Sequence, residues 1–486
     1  MIITALAEWQ TAAGTLLEWH ATAKSTAAAA AAPATGGKAS FLQDNHIRGV
    51  AAKAAAGQPH HAYLAVGTEV DGELDVPAMT RALRRFVCRH GGLRSWFDTA
   101  TPAVSRKLIA QESVEFEARF VGESAGHTHF LEYVLARFAR EAIATSWPGF
   151  AFGAVTRPGG FTLYYGCDHA LSDGASQALV LSEILEFYAE EAFGTPIGPY
   201  TAMECGSFTD YTEIEHALAA SVRQDSPEIG EWLDLFGRHG SAMPSFPMDL
   251  GLAPGATAPM RAIEFDLLDH VGTRAFDAVC KSNGARYVAG VLAAVAITDY
   301  EVGGRDEYYG MTVLSTRDLG DFLVSQGWFC QFAPVSFPVH TSASFTELLA
   351  HAHAGYQRAM RLGAVPVQSV IAALLASGAH IDAVTASPNM LSYIDFRRFP
   401  GAGTPAYERA VLCTGEGSTA NASMWFNRDE RHLYVGCQSP DTPLARRNLA
   451  TYHAHLRAVF DSIARDGDYR IRAGADKEVA GASHHH

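Results

Sequence analysis

From Ala62 to Gly72 the chain alternates apolar and polar positions with the two-residue period of a strand. Directly afterwards Met79, Leu83, Phe86 and Val87 recur at the three-to-four-residue spacing that places them on one face of a helix over Val76 to Arg89. Val114 to Val121 and Phe161 to Cys167 read as strands with a helix from Thr128 to Ala144 between them, and Leu179, Val180, Ile184, Leu185 and Phe187 line one side of a helix from Ser176 to Phe193. Further on, the pattern predicts helices over 210–235, 273–283 and 285–300 and strands over 262–268 and 308–315. A hairpin from Ala422 to Gln438 turns at Asn427-Arg-Asp-Glu, and a last helix from Thr442 to Asp466 carries Pro443 in its first turn. The Ala-rich stretch Thr22 to Lys38 fits a frayed helix or a loop equally well.

This interleaving of strands and helices defines an α/β protein, and a length of 486 residues predicts two or three globular units. Gly194-Thr-Pro-Ile-Gly-Pro-Tyr disfavours any regular element, so the boundary is expected there, giving halves 1–193 and 194–481. The terminal Ala482-Ser-His-His-His486 reads as an expression tag. With 37 basic and 52 acidic side chains the net charge is −15, which argues against a nucleic-acid partner. The N-terminus lacks a basic region followed by an apolar run, and the stretch Val288 to Ile297 is too short to span a bilayer, so a cytoplasmic location is expected. The seven scattered cysteines form no metal-ligand pattern, so reduced thiols and no bound metal are expected.

The string richest in chemistry is Tyr164-Tyr-Gly-Cys-Asp-His-Ala-Leu-Ser-Asp-Gly174, where His169, Asp173 and Gly174 fall between a strand and a helix with H-x-x-x-D-G spacing. A histidine at such a strand end can act as a general base, an aspartate four residues later can fix the loop by pairing with a cation, and the glycine lets backbone approach a substrate. The plainer reading of the same residues is a satisfied loop histidine with Asp173 or Ser172 capping the helix.

Several strings together resemble the superfamily of chloramphenicol acetyltransferase, nonribosomal peptide condensation domains and polyketide-associated acyltransferases. Besides H-x-x-x-D-G these are Ser40-Phe-Leu-Gln-Asp-Asn-His-Ile-Arg48, Arg89-His-Gly-Gly-Leu-Arg-Ser-Trp-Phe97, and Ser325-Gln-Gly-Trp-Phe-Cys-Gln-Phe-Ala-Pro334 with Arg317 upstream. Asn389-Met-Leu-Ser-Tyr-Ile-Asp-Phe-Arg397 is similar to the S-Y-x-D segment of the mycobacterial polyketide-associated members that build trehalose lipids. The resemblance implies two chloramphenicol-acetyltransferase-like halves forming a V around a central tunnel. It gives His169 the catalytic role, pairs Asp173 with Arg317 for structural support, and suggests Gly174 and Gln331 as substrate contacts. Asp168 stands where many members have a first histidine, Gln331 where they have asparagine and Gly91 where they have glutamate.

The reaction this implies is acyl transfer from a CoA or carrier-protein thioester to a hydroxyl or amine in specialised lipid or natural-product assembly, with no bound cofactor. A free-standing peptide condensation enzyme and a catalytically silent carrier-binding module are the alternatives. Arg81, Arg84, Arg85 and Arg89 form a basic helical stretch that reads either as a solvated face or as an attractor for an acidic carrier or a CoA phosphate. Gly415-Glu-Gly-Ser-Thr-Ala420 matches a dinucleotide fingerprint, but the residues after it are strand-like, and a pyrophosphate needs a helix N-terminus there.

Overall fold

The computed structural model describes residues 2–5, 9–100, 104–415 and 417–472; the segment read as a tag lies outside them. The chain forms two compact units. The first comprises residues 1–217, 315–330 and 396–416, and the second 218–314, 331–395 and 417–486. The boundary expected after Phe193 is thus displaced, and neither unit is one continuous stretch. The Gly/Pro-rich segment stays with the first unit because hydrogen bonds hold it there. Arg89 donates to the carbonyls of Tyr200, Thr201 and Met203, and Glu186 accepts the Thr201 N–H at 2.8 Å.

The first unit is built on a seven-stranded sheet whose order is Ile2–Ala5, Val411–Thr414, Tyr63–Asp71, Gly160–Asp168, Phe150–Arg157, Gly14–Ala21 and Phe116–Ser124. Val411–Thr414 runs parallel to the first of these and antiparallel to Tyr63–Asp71, which in turn pairs antiparallel with Gly160–Asp168 in the register Tyr63 opposite Asp168. Gly160–Asp168 is buried along its whole length, as befits the middle strand of the seven, and this is why its sequence shows little alternation. Helix Val76–Arg89 matches its expected bounds and is capped by Asp75, whose side chain accepts the Ala78 N–H. The Ala-rich stretch resolves into helix Ala23–Ala31 under a Thr22 cap. Strands Gly14–Ala21 and Phe150–Arg157 were not anticipated; each carries a buried run in which polar positions do not mark an outer face.

The second unit repeats the mixture around another seven-stranded sheet, in the order Cys330–Pro338, Glu307–Ser315, Met390–Asp395, Ser423–Arg428, His432–Pro440, Ala258–Asp269 and Ser418–Thr419. Its core is formed with helices Tyr287–Gly303, Phe345–Leu362 and Pro443–Asp466. The expected helix over 210–235 is two helices, Phe208–Ser221 and Pro227–Arg238, because Pro227 can open a helix but not sit inside one. The hairpin forms as expected, with strands ending at Arg428 and resuming at His432. After Gly415 the chain enters short strand Ser418–Thr419 and then Ser423–Arg428, so no helix offers its N-terminus to a pyrophosphate. Among the described residues no single helix is long and apolar enough to cross a membrane.

Gly166 lies on the middle strand, where a Cβ would run into the Phe138 ring and the neighbouring strands leave no room to retreat. Gly166→Ala is expected to destabilise the protein by about 1–3 kcal/mol through overpacking, read as a lower midpoint in urea unfolding.

Candidate active site

The middle strand ends at Asp168, and one short 3-10 turn, His169–Leu171, carries the chain to helix Gly174–Phe193. Asp168 shapes this turn. It is almost fully buried; Oδ1 accepts the Ala170 N–H at 2.8 Å and the His46 Nε2–H at 2.7 Å, while Oδ2 accepts the Ala144 N–H at 2.9 Å. Burial works to raise its pKa, but His46 and the two backbone donors outweigh it and hold the carboxyl below the usual range. The residue that stands in place of a first histidine is therefore an ionised anchor for the turn.

His169 follows with its backbone N–H on the Ala62 carbonyl. Its Nδ1 lies 3.1 Å from the Ser172 carbonyl oxygen, which only accepts, so Nδ1 carries the proton and Nε2 keeps its lone pair. Burial, reinforced by the charge of His46, lowers its pKa to about 4, so the ring is neutral at pH 7. The Trp328 ring lies against it at 4.0 Å between centroids and the His46 ring at 6.0 Å. The residue as a whole is half-buried.

Asp173 caps the next helix, its Oδ1 accepting the Ser176 N–H at 2.6 Å. The same oxygen receives Arg317 Nη2 at 2.9 Å and Oδ2 accepts the Phe329 N–H at 2.9 Å, so the expected pair and the plainer capping reading both hold. Arg317 also donates to Ser176 Oγ and to the carbonyls of Phe322 and Ser325, and its guanidinium lies over the Phe329 ring. These bonds fasten residues 315–330 to the first turn of the helix and so place Trp328 beside His169. Gly327 permits the approach: a Cβ there would strike the Phe208 ring, and its N–H and carbonyl both meet Ser176 Oγ.

Gly174 opens the helix and is partly exposed, while Gln331 lies in the second unit with its side chain buried and Oε1 without a hydrogen-bond partner. The site also contains three residues not expected to belong to it: His46, Trp328 and Gln43, whose Nε2 donates to the Ala170 carbonyl at 2.8 Å. Gln43 and His46 share one face of helix Phe41–Ala55, and the signal available was the capping box of Ser40 and Gln43 that fixes where this helix starts. The basic stretch of helix Val76–Arg89 faces outward, with Arg81 and Arg84 exposed as the solvated-face reading expects, but its arginines are held by partners within the protein and form no free cationic patch. Arg81 and Arg85 pair with Glu190 and Glu191, Arg84 donates to the Val114 carbonyl, and Arg89 is held by Glu183 and the carbonyls named above.

A two-unit α/β chain with a neutral histidine at a strand end, backed by an aspartate-arginine tie, is the pattern of one class of proteins: the chain belongs to the condensation-domain family, whose model matches residues 50–384. Its relatives within that class are acyltransferases. It is 30% identical over 478 residues, 96% of this chain and 89% of the relative, to the 2'-acyl-2-O-sulfo-trehalose (hydroxy)phthioceranyltransferase PapA1 of Mycobacterium tuberculosis. To the acyltransferase PapA3 of the same species it is 27% identical, covering 96% of this chain and 98% of the other. The fold is shared with the PapA2 acyl transferase at a TM-score of 0.84 and 22% identity, over 96% of this chain and all of that one. It is shared also with the first condensation domain of the calcium-dependent antibiotic synthetase, at 0.68 and 16%, over 91% and 98%. The protein is an acyltransferase.

Asp173→Ala would strand the Arg317 charge and uncap a helix, at an expected cost of about 3–5 kcal/mol. Thermal unfolding should show a much larger fall for this variant than for His169→Ala; equal melting temperatures would remove the tie from the structural account.

Proposed function

We propose that the protein transfers an acyl group from a phosphopantetheine thioester, carried by CoA or a carrier protein, to a sugar hydroxyl, with His169 as the general base. The observation that carries this reading is the state of the ring. Nδ1 is committed to the Ser172 carbonyl and the imidazole is neutral, so Nε2 keeps the lone pair that a general base needs. A hydroxyl ionises far above pH 7 and attacks a carbonyl poorly unless its proton leaves as the bond forms. In the proposed sequence Nε2 takes that proton as the oxygen adds to the thioester carbon. The tetrahedral oxyanion then collapses, the C–S bond breaks, and the imidazolium returns the proton to the departing sulfur. The negative charge that develops beside the ring offsets the burial that makes imidazolium costly there. Asp168 and Arg317 act as positioning residues, the first through the turn and His46, the second through Asp173 and Trp328. Gly174 opens the helix on which substrate backbone contacts would fall. The relatives favour a sugar acceptor, since PapA1 is named for a sulfo-trehalose substrate.

The test is incubation with a panel of acyl-CoAs and trehalose or sulfated trehalose, with products read by mass spectrometry. His169→Ala should lower turnover by roughly 10²–10⁴-fold with little change in melting temperature, and a normal rate would remove the base from the mechanism. Protonation of Nε2 abolishes its lone pair, so kcat/KM should stay flat on acidification through the ordinary histidine range and fall only as the pH approaches about 4. An acid limb centred near 6.5 would show that a different histidine, or none, takes the proton.

A further inference from the structure

A second titratable cluster lies in the first unit, apart from the groups used above. His90 is 1% exposed, and its Nε2 faces Glu183 Oε2 at 2.8 Å. Glu183 is itself fully buried and is paired on its other oxygen with Arg89 Nε at 3.2 Å. On the opposite side of the imidazole, Nδ1 stands 3.3 Å from Cys205 Sγ, which is also 3.5 Å from Ser325 Oγ. The Gln326 backbone N–H approaches the same Nδ1 at 3.3 Å, and Nδ1 cannot both accept from it and donate to sulfur. The charges of the neighbours decide between the two. Despite burial, Glu183 and Cys205 push His90 up to about 9, and despite burial His90 draws Cys205 down to about 7, so near neutral pH Nδ1 carries a proton directed at a thiolate. Two further polar atoms, Tyr200 OH and Gln326 Oε1, belong to side chains 1% exposed and have no hydrogen-bond partner; Tyr200 is close enough to feel the charge of both Glu183 and Cys205. Tyr200 packs in one cluster with Cys205, so its unpartnered hydroxyl offers an oxygen-bearing small molecule a hydrogen bond near the sulfur.

Cys205 differs from the chain's other cysteines in this setting. Cys167, Cys280, Cys413 and Cys437 are buried, and the partly exposed Cys88 and Cys330 are shifted the other way, Cys88 by burial and Cys330 by burial and the Asp173 charge. We propose that Cys205 is a modification site for hydrogen peroxide or a small hydroperoxide, with His90 as proton donor and Glu183 as the residue that positions it. The thiolate sulfur attacks one peroxide oxygen, so an S–O bond forms as the O–O bond breaks. Sulfur gives up two electrons and becomes a sulfenic acid; the departing hydroxide takes the Nδ1 proton of His90 and leaves as water. The site stands independently of the acyl-transfer reading, because neither His169 nor a thioester enters it.

The full chain would be treated with graded hydrogen peroxide at pH 7, trapped with dimedone, and digested for mass spectrometry. Cys205 should be labelled about fivefold or more faster than Cys88, since a larger thiolate fraction outweighs the lower intrinsic nucleophilicity of a low-pKa thiol. Iodoacetamide labelling of Cys205 across a pH series should have its midpoint near 7. Glu183→Gln should move that midpoint up by about one unit and cut Cys205 labelling at pH 7 about fivefold, leaving Cys88 unchanged. Equal labelling of Cys205 and Cys88, or no labelling of Cys205 in the folded protein, overturns the proposal. If Glu183→Gln does not fold, the ratio measured in the unaltered chain decides alone.

Discussion

The Arg317 guanidinium is the constraint on which the candidate site depends. It reaches Asp173, Ser176 and the carbonyls of Phe322 and Ser325, and stacks on Phe329, so most of its donors are spent inside the protein. A charge taken out of water is tolerable only when several partners receive it, and here only Nε goes without one. The geometry of arginine matters here, because a lysine ammonium at the same place could not fork between a carboxylate, a hydroxyl and two carbonyls. Through that fork a segment more than a hundred residues away in sequence becomes a wall of the histidine's surroundings.

Two acidic residues that bracket His169 do different work. Asp168 is tied into the turn by His46 and two backbone donors, and Asp173 is occupied by Arg317, Ser176 and Phe329. Both anions are consumed by their own partners, and among the described residues neither hydrogen-bonds the imidazole, whose Nδ1 goes instead to a neutral carbonyl. The arrangement therefore differs from a triad in which a carboxylate steadies the imidazolium. It favours a ring that stays neutral until substrate charge develops.

Much of this was legible along the chain because local chemistry and fold agree. The caps at Asp75 and Thr442, the face of helix Val76–Arg89 and the H-x-x-x-D-G turn are each written within a few residues. What was hidden depends on partners remote in sequence. The partners of the arginines at 81 to 89 could not be read locally because their glutamates lie about a hundred residues on, and nothing around Trp328 in the sequence signals that its ring lies against His169. Strands Gly14–Ala21 and Phe150–Arg157 escaped because consecutive positions on them are buried on both faces, which removes the alternation by which a half-exposed strand is recognised. The domain boundary was misplaced for a related reason: Gly and Pro reveal where regular structure stops, and not which unit an irregular segment then packs on.

The position of Val411–Thr414 between Ile2–Ala5 and Tyr63–Asp71 has a consequence for biosynthesis. At about 5–20 residues per second, a ribosome that has finished Tyr63–Asp71 needs roughly 17–70 s to reach the strand that will pair with it. For that interval the nascent first unit presents an unpaired strand edge, the feature that recruits other chains into aggregates. Yield in a foreign host should accordingly be governed by chaperone supply and translation speed during this window, and a fragment cut before residue 411 would carry the open edge permanently.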